Sequence, residues 1–393
     1  MATPDPALDL LLFHLSGQTD GATGDKLPVS VWERAAQLAD RHTVEMLFYA
    51  RAKKGVNAAV MPAAVRQTLQ QASHLGALKL ARLYQELTAV LRRLSQDDIP
   101  VIVLKGAYLG QMVYQEPAFR PMNDIDLLVH QHDLSRVTAV MESRGFQLKN
   151  EAWGAKHLTF AADDGRPPVE IHWHITHPAD PFTIDVAELW ARAVPITLMG
   201  TPALAFSPED LLLHLAVHLS FNHGFRFGLR PFCDIHETLD QFRGGIAWEA
   251  VIRRAHRWQI AHAVYLTLEL TVDLLKTAVP DDVLQALKPD DFAPEMTLWA
   301  KNRVLGSESL PFVSSNFARM WEEGRLRDKA AVFLKCVLPP PEVQGEQSKT
   351  SPVAPARQLG KRLHRYGQAG WQLLRRDEAM CRDVNMKKWL ASG

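Results

Sequence analysis

The stretch RPMNDIDLLVH, Arg120 to His130, sets two carboxylates one residue apart at the head of an apolar run. Side chains alternate along an extended strand, so Asp124 and Asp126 fall on one face and Ile125, Leu127 and Val129 on the other. Held side by side without a cation, two carboxylates repel and one takes up a proton at a cost; a hard divalent ion such as Mg2+ makes both favourable oxygen ligands. The spacing points to a metal site, with strand-end capping or a solvated strand edge as the alternatives.

Three neighbouring motifs bear on that choice. PVIVL runs into Lys105-Gly106 ahead of a helical pattern, and a glycine at such a turn lets backbone N–H groups and a helix N-terminus approach a phosphate. Lys105 would add a point charge; an ordinary strand-to-helix turn with a surface lysine is the plainer reading. In VEIHWHI, Glu170, His172 and His174 share one face, against Val169, Ile171, Trp173 and Ile175 on the apolar one. If this strand neighbours the first, Asp124, Asp126 and Glu170 make the three-carboxylate cluster that two-metal phosphoryl and nucleotidyl transfer uses. Glu170 could also take the acceptor proton. Arg120, four positions before Asp124, would clamp a β- or γ-phosphate with its fork, or pair with an aspartate. His172 and His174 would contact nucleotide or acceptor, or fill the face with hydrogen-bonded imidazoles.

These residues need a scaffold, and the periodicity supplies one. Leucines and alanines at threes and fours predict a helical module over residues 1–95. A β-branched period follows from Ile99: IPVIVL, DIDLLV, FQLK, HLTFA and VEIHWHI as strands, and VPITLMGTPALAF as a hairpin around Gly200. Helices are expected over Ala107 to Tyr114 and through HDLSRVTAVMESRG, which Gly145 stops. The fold expected is α+β, a small mixed sheet over residues 96–206. A second helical module, 207–341, opens with Ser207 as N-cap, Pro208 in the first turn and Asp210 closing a capping box. Within it His214 and His218 stand four apart, a spacing that permits zinc. No H-E-x-x-H base accompanies them, so packing, with hydrogen bonds to backbone or Asp234, is the competing reading. Arg226 and Arg230 would bring positive charge nearby. Residues 342–393 read as a polar linker and a basic tail, with nine Lys/Arg against three Asp/Glu from Arg357 onward. Tyr366 and Trp371 in that tail suit a nucleic-acid or peptide partner, while Leu359, Leu363 and Trp371 equally suit a helix packed on the body.

Composition excludes some classes. Lys plus Arg equal Asp plus Glu, 44 each, so no bulk charge holds an extended nucleic acid or a membrane surface. Cys233, Cys336 and Cys381 are scattered, in no metal-ligand spacing, and no disulfide is expected. The first residues lack the basic region and apolar length of a signal peptide, so a cytoplasmic protein is expected.

The run VLKGAYLGQMVYQEPAFRPMNDIDLLVHQHDLSRVTAVMESRGFQ, followed by VEIHWHI and EDLLLHLAVHLSFNHGFRFGLRPFCDIHETL, resembles the uncharacterised nucleotidyltransferases of the polymerase-β-like superfamily. The resemblance runs roughly from Thr43 to Leu338 and is densest from Val101 to Gly145. It implies transfer of a nucleoside monophosphate from a nucleoside triphosphate to a hydroxyl acceptor: a small molecule, a peptide or protein, or an RNA end. It also implies Mg2+ or Mn2+ at Asp124, Asp126 and Glu170, and nucleotide contacts from Lys105, Gly106, Arg120 and His172. Many members carry Gly-Gly or Gly-Ser closer to the acids, whereas here seventeen residues separate Gly106 from Asp124. A fold retained for binding without chemistry, or a phosphotransferase, are the alternatives.

Overall fold

The computed structural model describes residues 5–18, 27–54, 60–150, 156–177, 180–306 and 378–393. Up to Gln96 the regular elements among the described residues are helices: α1 (Pro6–Leu15), α2 (Val29–Arg41), α3 (Glu45–Ala52) and α4 (Ala63–Gln96). The second half of α4 buries Leu80, Leu83, Leu87, Val90, Leu91 and Leu94, the three-and-four spacing of an apolar stripe. The Asp5 carboxylate caps α1 by accepting from the Ala7 N–H at 3.0 Å.

Seven strands then form one sheet: β1 (Ile102–Val103), β2 (Ile125–Leu128), β3 (Gln147–Asn150), β4 (His157–Ala161), β5 (Val169–His172), β6 (Val194–Leu198) and β7 (Thr201–Ala205). Their spatial order is β3-β4-β5-β2-β1-β7-β6. β2–β5 and β1–β7 are parallel and the other neighbours antiparallel. This is the mixed sheet of an α+β fold, with α5 (Lys105–Met112), α6 (Leu134–Ser143) and α7 (Val186–Ala191) in its connections. β2 is central, and its four residues are buried. The β6–β7 hairpin turns through Met199 and Gly200, both at positive φ (49° and 74°), as a two-residue primed turn requires.

Three local expectations are corrected. The strand from PVIVL is short, because Lys105, at φ 43°, already begins α5; the helix starts two residues before Ala107. β5 stops at His172, and the His174 ring folds back so that Nδ1 accepts from the Thr176 N–H at 3.1 Å. His174 therefore leaves the face of Glu170 and His172. Ser207 does cap α8 (Pro208–Val217) through the Asp210 N–H, but the Asp210 carboxylate closes no box. It is 1% exposed and pairs with Arg192 at 2.7 Å and Arg254 at 2.9 Å; two cations outbid one N–H for a buried carboxylate.

A wide π-type turn, His218–Asn222, follows α8, and then α9 (Arg230–Gln241), α10 (Trp248–Arg257), α11 (Ala261–Leu275), α12 (Asp281–Leu287) and α13 (Pro294–Leu305). α14 (Glu378–Leu390) docks on that turn: buried Lys387 donates to Ser220 O at 2.6 Å, and Asp383 pairs with Arg303 at 2.7 Å. The end of the basic tail thus packs on the body. Leu359, Leu363, Tyr366 and Trp371 lie outside the described residues, as does Cys336, and Cys233 is a buried free thiol. No helix among the described residues is long and apolar enough to cross a membrane.

Candidate active site

β2 and β5 run in parallel register, with Asp126 opposite Glu170 and Leu128 opposite His172. Alternation then sends Asp126, Glu170 and His172 to one face, and Asp124, immediately before β2, lines the cavity with Asp126 and Glu170. Antiparallel β4 adds His157 opposite His172. The reverse face carries Ile125, Leu127, Val169 and Ile171, all 0% exposed, so the packing of one side fixes the polar set on the other.

The polar groups form a chain. Asp126 Oδ1 accepts from Lys105 Nζ at 2.9 Å and lies 2.9 Å from His172 Nε2. His172 Nε2 is in turn 3.4 Å from Glu170 Oε2, which is 3.9 Å from His157 Nε2. Burial alone would raise the Asp126 pKa, but Lys105 and His172 overturn it and hold the carboxyl well below its usual range. Asp124 goes the other way, raised by burial and then by the charges of Asp126 and Glu170. The hydrogen bond from His172 lowers the Glu170 pKa. Nearby, Lys156 donates to Ile175 O at 2.8 Å, and burial brings its pKa down to about 8.

The acids and Lys105 among these groups floor a cavity of about 570 Å3. Lys105, Gly106, Asp124, Asp126 and Glu170 lie on the sheet side. Arg41, His42 and Thr43 come from the α2–α3 junction, His218 to Arg230 from the segment between α8 and α9, and Arg303, Val304 and Gly306 from the end of α13. Arg226 and Arg230 both line it, as their position in the sequence predicted. Burial, followed by the charge of Arg120, lowers the Arg230 pKa, and its Nε has no hydrogen-bond partner among the described residues. Phe227, 41% exposed, stacks on His223 with centroids 3.8 Å apart.

Arg120 lines the cavity and makes the ion pair. Its guanidinium holds Asp234 through Nε–Oδ1 at 3.0 Å and Nη2–Oδ2 at 2.8 Å, and Tyr114 donates to the same Oδ1 at 2.8 Å. Gly106 serves this arrangement: a Cβ there would lie 2.5 Å from Arg120 Nη1 and 3.2 Å from Met122 Cβ. His172 is 3% exposed and reaches the acids rather than the cavity. The His214 and His218 rings are 6.0 Å apart, and His218 Nε2 lies 3.2 Å from His223 Nε2. Asp234 is committed to Arg120 and Tyr114, which corrects its expected bond to the histidines. Burial and Lys105 hold both His214 and His218 far below the usual histidine range.

Reading the sequence missed His157 and the triplet Arg41–Thr43. His157 carried a faint signal, since alternation in HLTFA puts it opposite Leu158 and Phe160. The triplet carried none, as it ends a helix far along the chain from the acids.

A family model described as "Uncharacterised nucleotidyltransferase" matches residues 28–276. The chain belongs to this family. For this nucleotidyltransferase-family chain the matched region takes in α2, ahead of the expected start at Thr43, and stops within the helical module, before Leu338. Arg303, Val304 and Gly306 thus line the cavity from beyond it. No curated protein matches the chain. Among solved structures, the chain is similar to the antibiotic-resistance factor ANT(2'')-Ia, with 11% identity, a TM-score of 0.34, and coverage of 45% of this chain and 92% of that one.

Proposed function

We propose that this family member is a cytoplasmic enzyme that moves a nucleoside monophosphate from a nucleoside triphosphate onto a hydroxyl-bearing acceptor. The observation that carries this is the Asp126–Glu170 register, with Asp124 beside it, at the floor of a cavity whose walls bear Arg41, Arg226 and Arg230. An acid floor under a cationic wall suits a polyanionic substrate that arrives with divalent cations.

The three carboxylates have the oxygen chemistry that Mg2+ or Mn2+ prefers, and Asp124 and Asp126 would have to turn toward Glu170, because among the described residues the set whose ligand atoms stand within 4.8 Å of one another is His157, Glu170 and His172. Asp124 is raised by burial and two like charges, a repulsion a divalent cation relieves. Bound by Asp124, Asp126 and Glu170, such an ion would neutralise phosphate charge and lower the pKa of an acceptor hydroxyl. The other roles belong to side chains and backbone. Lys105, now on Asp126, turns to the phosphates, and the first turn of α5, kept open at Gly106, offers N–H groups to them. Arg230, with its Nε unpartnered, takes a further anionic oxygen. Glu170, its side chain 26% exposed, accepts the acceptor proton. Arg120 and His172 act as positioning residues, Arg120 through Asp234 and His172 through Asp126. We further propose modules at 1–95, 96–206, 207–341 and 342–393, and an acceptor that is a small molecule or peptide rather than an RNA end.

One observation favours a binding role without chemistry: Asp126 Oδ1 is already taken by Lys105 and His172. Calorimetry of ATP, CTP, GTP and UTP with and without Mg2+, on wild type and the Asp124→Asn/Asp126→Asn double variant, separates the two. Metal-dependent binding lost in the double variant supports the transferase; metal-independent binding, or none, sinks it. The added mass on a product labelled in lysate, nucleoside monophosphate or phosphate alone, distinguishes nucleotidyl transfer from phosphotransfer.

A further inference from the structure

The sheet brings together a second ligand set that the three acids do not exhaust. β4 and β5 pair His157 with His172, and β5 carries Glu170 two residues before His172 on the same face. His157 Nε2, Glu170 Oε2 and His172 Nε2 are all usable ligand atoms, and the three residues offer atoms within 4.8 Å of one another.

We propose that His157, Glu170 and His172 bind a nitrogen-preferring divalent cation of the Mn2+, Co2+ and Zn2+ class, beside the site formed by the acids. For metal–ligand bonds of about 2.0–2.1 Å, the edge of a tetrahedron is about 3.4 Å. The His172–Glu170 separation is 3.4 Å as it stands, and the His157–Glu170 separation of 3.9 Å needs a small side-chain rotation. Asp126 Oδ1, 2.9 Å from His172 Nε2, is a hydrogen-bond neighbour of the set and not a member of it.

An ion can reach the position without unfolding, because the His157 and Glu170 side chains are 27% and 26% exposed and Glu170 opens on the cavity. Two imidazoles change the selectivity. Mg2+ prefers oxygen and keeps its water, whereas affinity at imidazole rises along the first transition row from Mn2+ through Co2+. For Nε2 to bind the metal, the neutral His172 ring carries its proton on Nδ1 instead, the hydrogen bond to Asp126 is given up, and Asp126 keeps Lys105 as partner. Glu170 belongs to both sites, so occupancy of one bears on the other through a single carboxylate.

The site does not rest on the transfer reading, and the test keeps them apart. Metal-free full chain is titrated with CoCl2 and, separately, MgCl2, by visible absorption and calorimetry. Wild type should bind one Co2+ with a ligand-field band of mixed nitrogen and oxygen coordination, at least about tenfold tighter than Mg2+. His157→Asn should weaken Co2+ by about tenfold or more with the melting temperature of the metal-free protein unchanged, whereas Asp124→Asn should leave Co2+ binding intact. In case the histidine variants misfold, Mn2+ bound to Asp124→Asn, in which the acid site has lost a ligand, is examined by electron spin echo envelope modulation, where coupling to 14N supports the site. Co2+ no tighter than Mg2+, affinity indifferent to His157, or Mn2+ without 14N coupling overturns it. Loss of nucleotide binding in Asp124→Asn with Co2+ retained supports both proposals; Co2+ retained with no nucleotide bound by any form sinks the transfer reading alone.

Discussion

Asp126 and Glu170 stand opposite each other on adjacent strands, whereas Arg41, which lines the same cavity, donates to Gly306 O across 265 residues of chain. The floor is built by alternation and register, so its chemistry follows from which residues share a strand face. The wall is assembled from three helical segments by tertiary packing alone. The two regions also use ion pairs differently. On the floor, Lys105 holds Asp126 through a single contact at 2.9 Å, with side chains 15% and 7% exposed. Under the wall, Arg120–Asp234 is bidentate, and its side chains are 11% and 4% exposed. Both cations line the cavity, so the division expected is one of geometry: a single contact that the proposed chemistry would open, and a two-contact pair that is held.

The largest test of that division is Asp234→Ala. It strands the Arg120 cation and should cost about 3–5 kcal/mol in urea unfolding, while Arg120→Met/Asp234→Leu should cost far less. A single variant costing under about 1 kcal/mol would put the pair in one class with Lys105–Asp126.

Acid should reveal next how much the scaffold depends on neutral histidines. Burial lowers His14, His42 and His236 to about 4, helped by Arg51 at His14 and His236 and by Arg41 at His42. When unfolded they titrate near 6.5, so below that pH the unfolded chain binds more protons and gains. The melting temperature should fall progressively from pH 6.5 to pH 4. His14→Gln should flatten that fall; an unchanged slope would remove His14 from the account.

Gly106→Ala probes where floor and wall touch. Its Cβ meets Arg120 Nη1 at 2.5 Å, and that guanidinium is pinned, so about 1–3 kcal/mol of stability should be lost. Thermal denaturation unchanged from wild type would show that the α5 turn gives way instead.

The mildest expected effect is Arg230→Gln. Removing a cation whose Nε lacks a partner should leave melting unchanged or slightly raised, and weaken triphosphate binding by about tenfold, some 1.4 kcal/mol. Equal loss of stability and binding would make Arg230 part of the fixed scaffold.

What the sequence carried was whatever depends on near neighbours in the chain. Two acids one residue apart must share a strand face; Glu170 and His172 likewise; Val169 and Ile171 must oppose them. The hairpin at Met199–Gly200 and the cap at Ser207 are equally local. The same alternation overreached at His174, because where a strand ends depends on its neighbours. Only the tertiary structure could pair Asp126 with Glu170, bring His157 opposite His172, assign Arg120 to Asp234, and close the cavity with Arg41 and Gly306. Those contacts join residues tens to hundreds of positions apart. Local periodicity decides which way a side chain points, but not which distant side chain meets it.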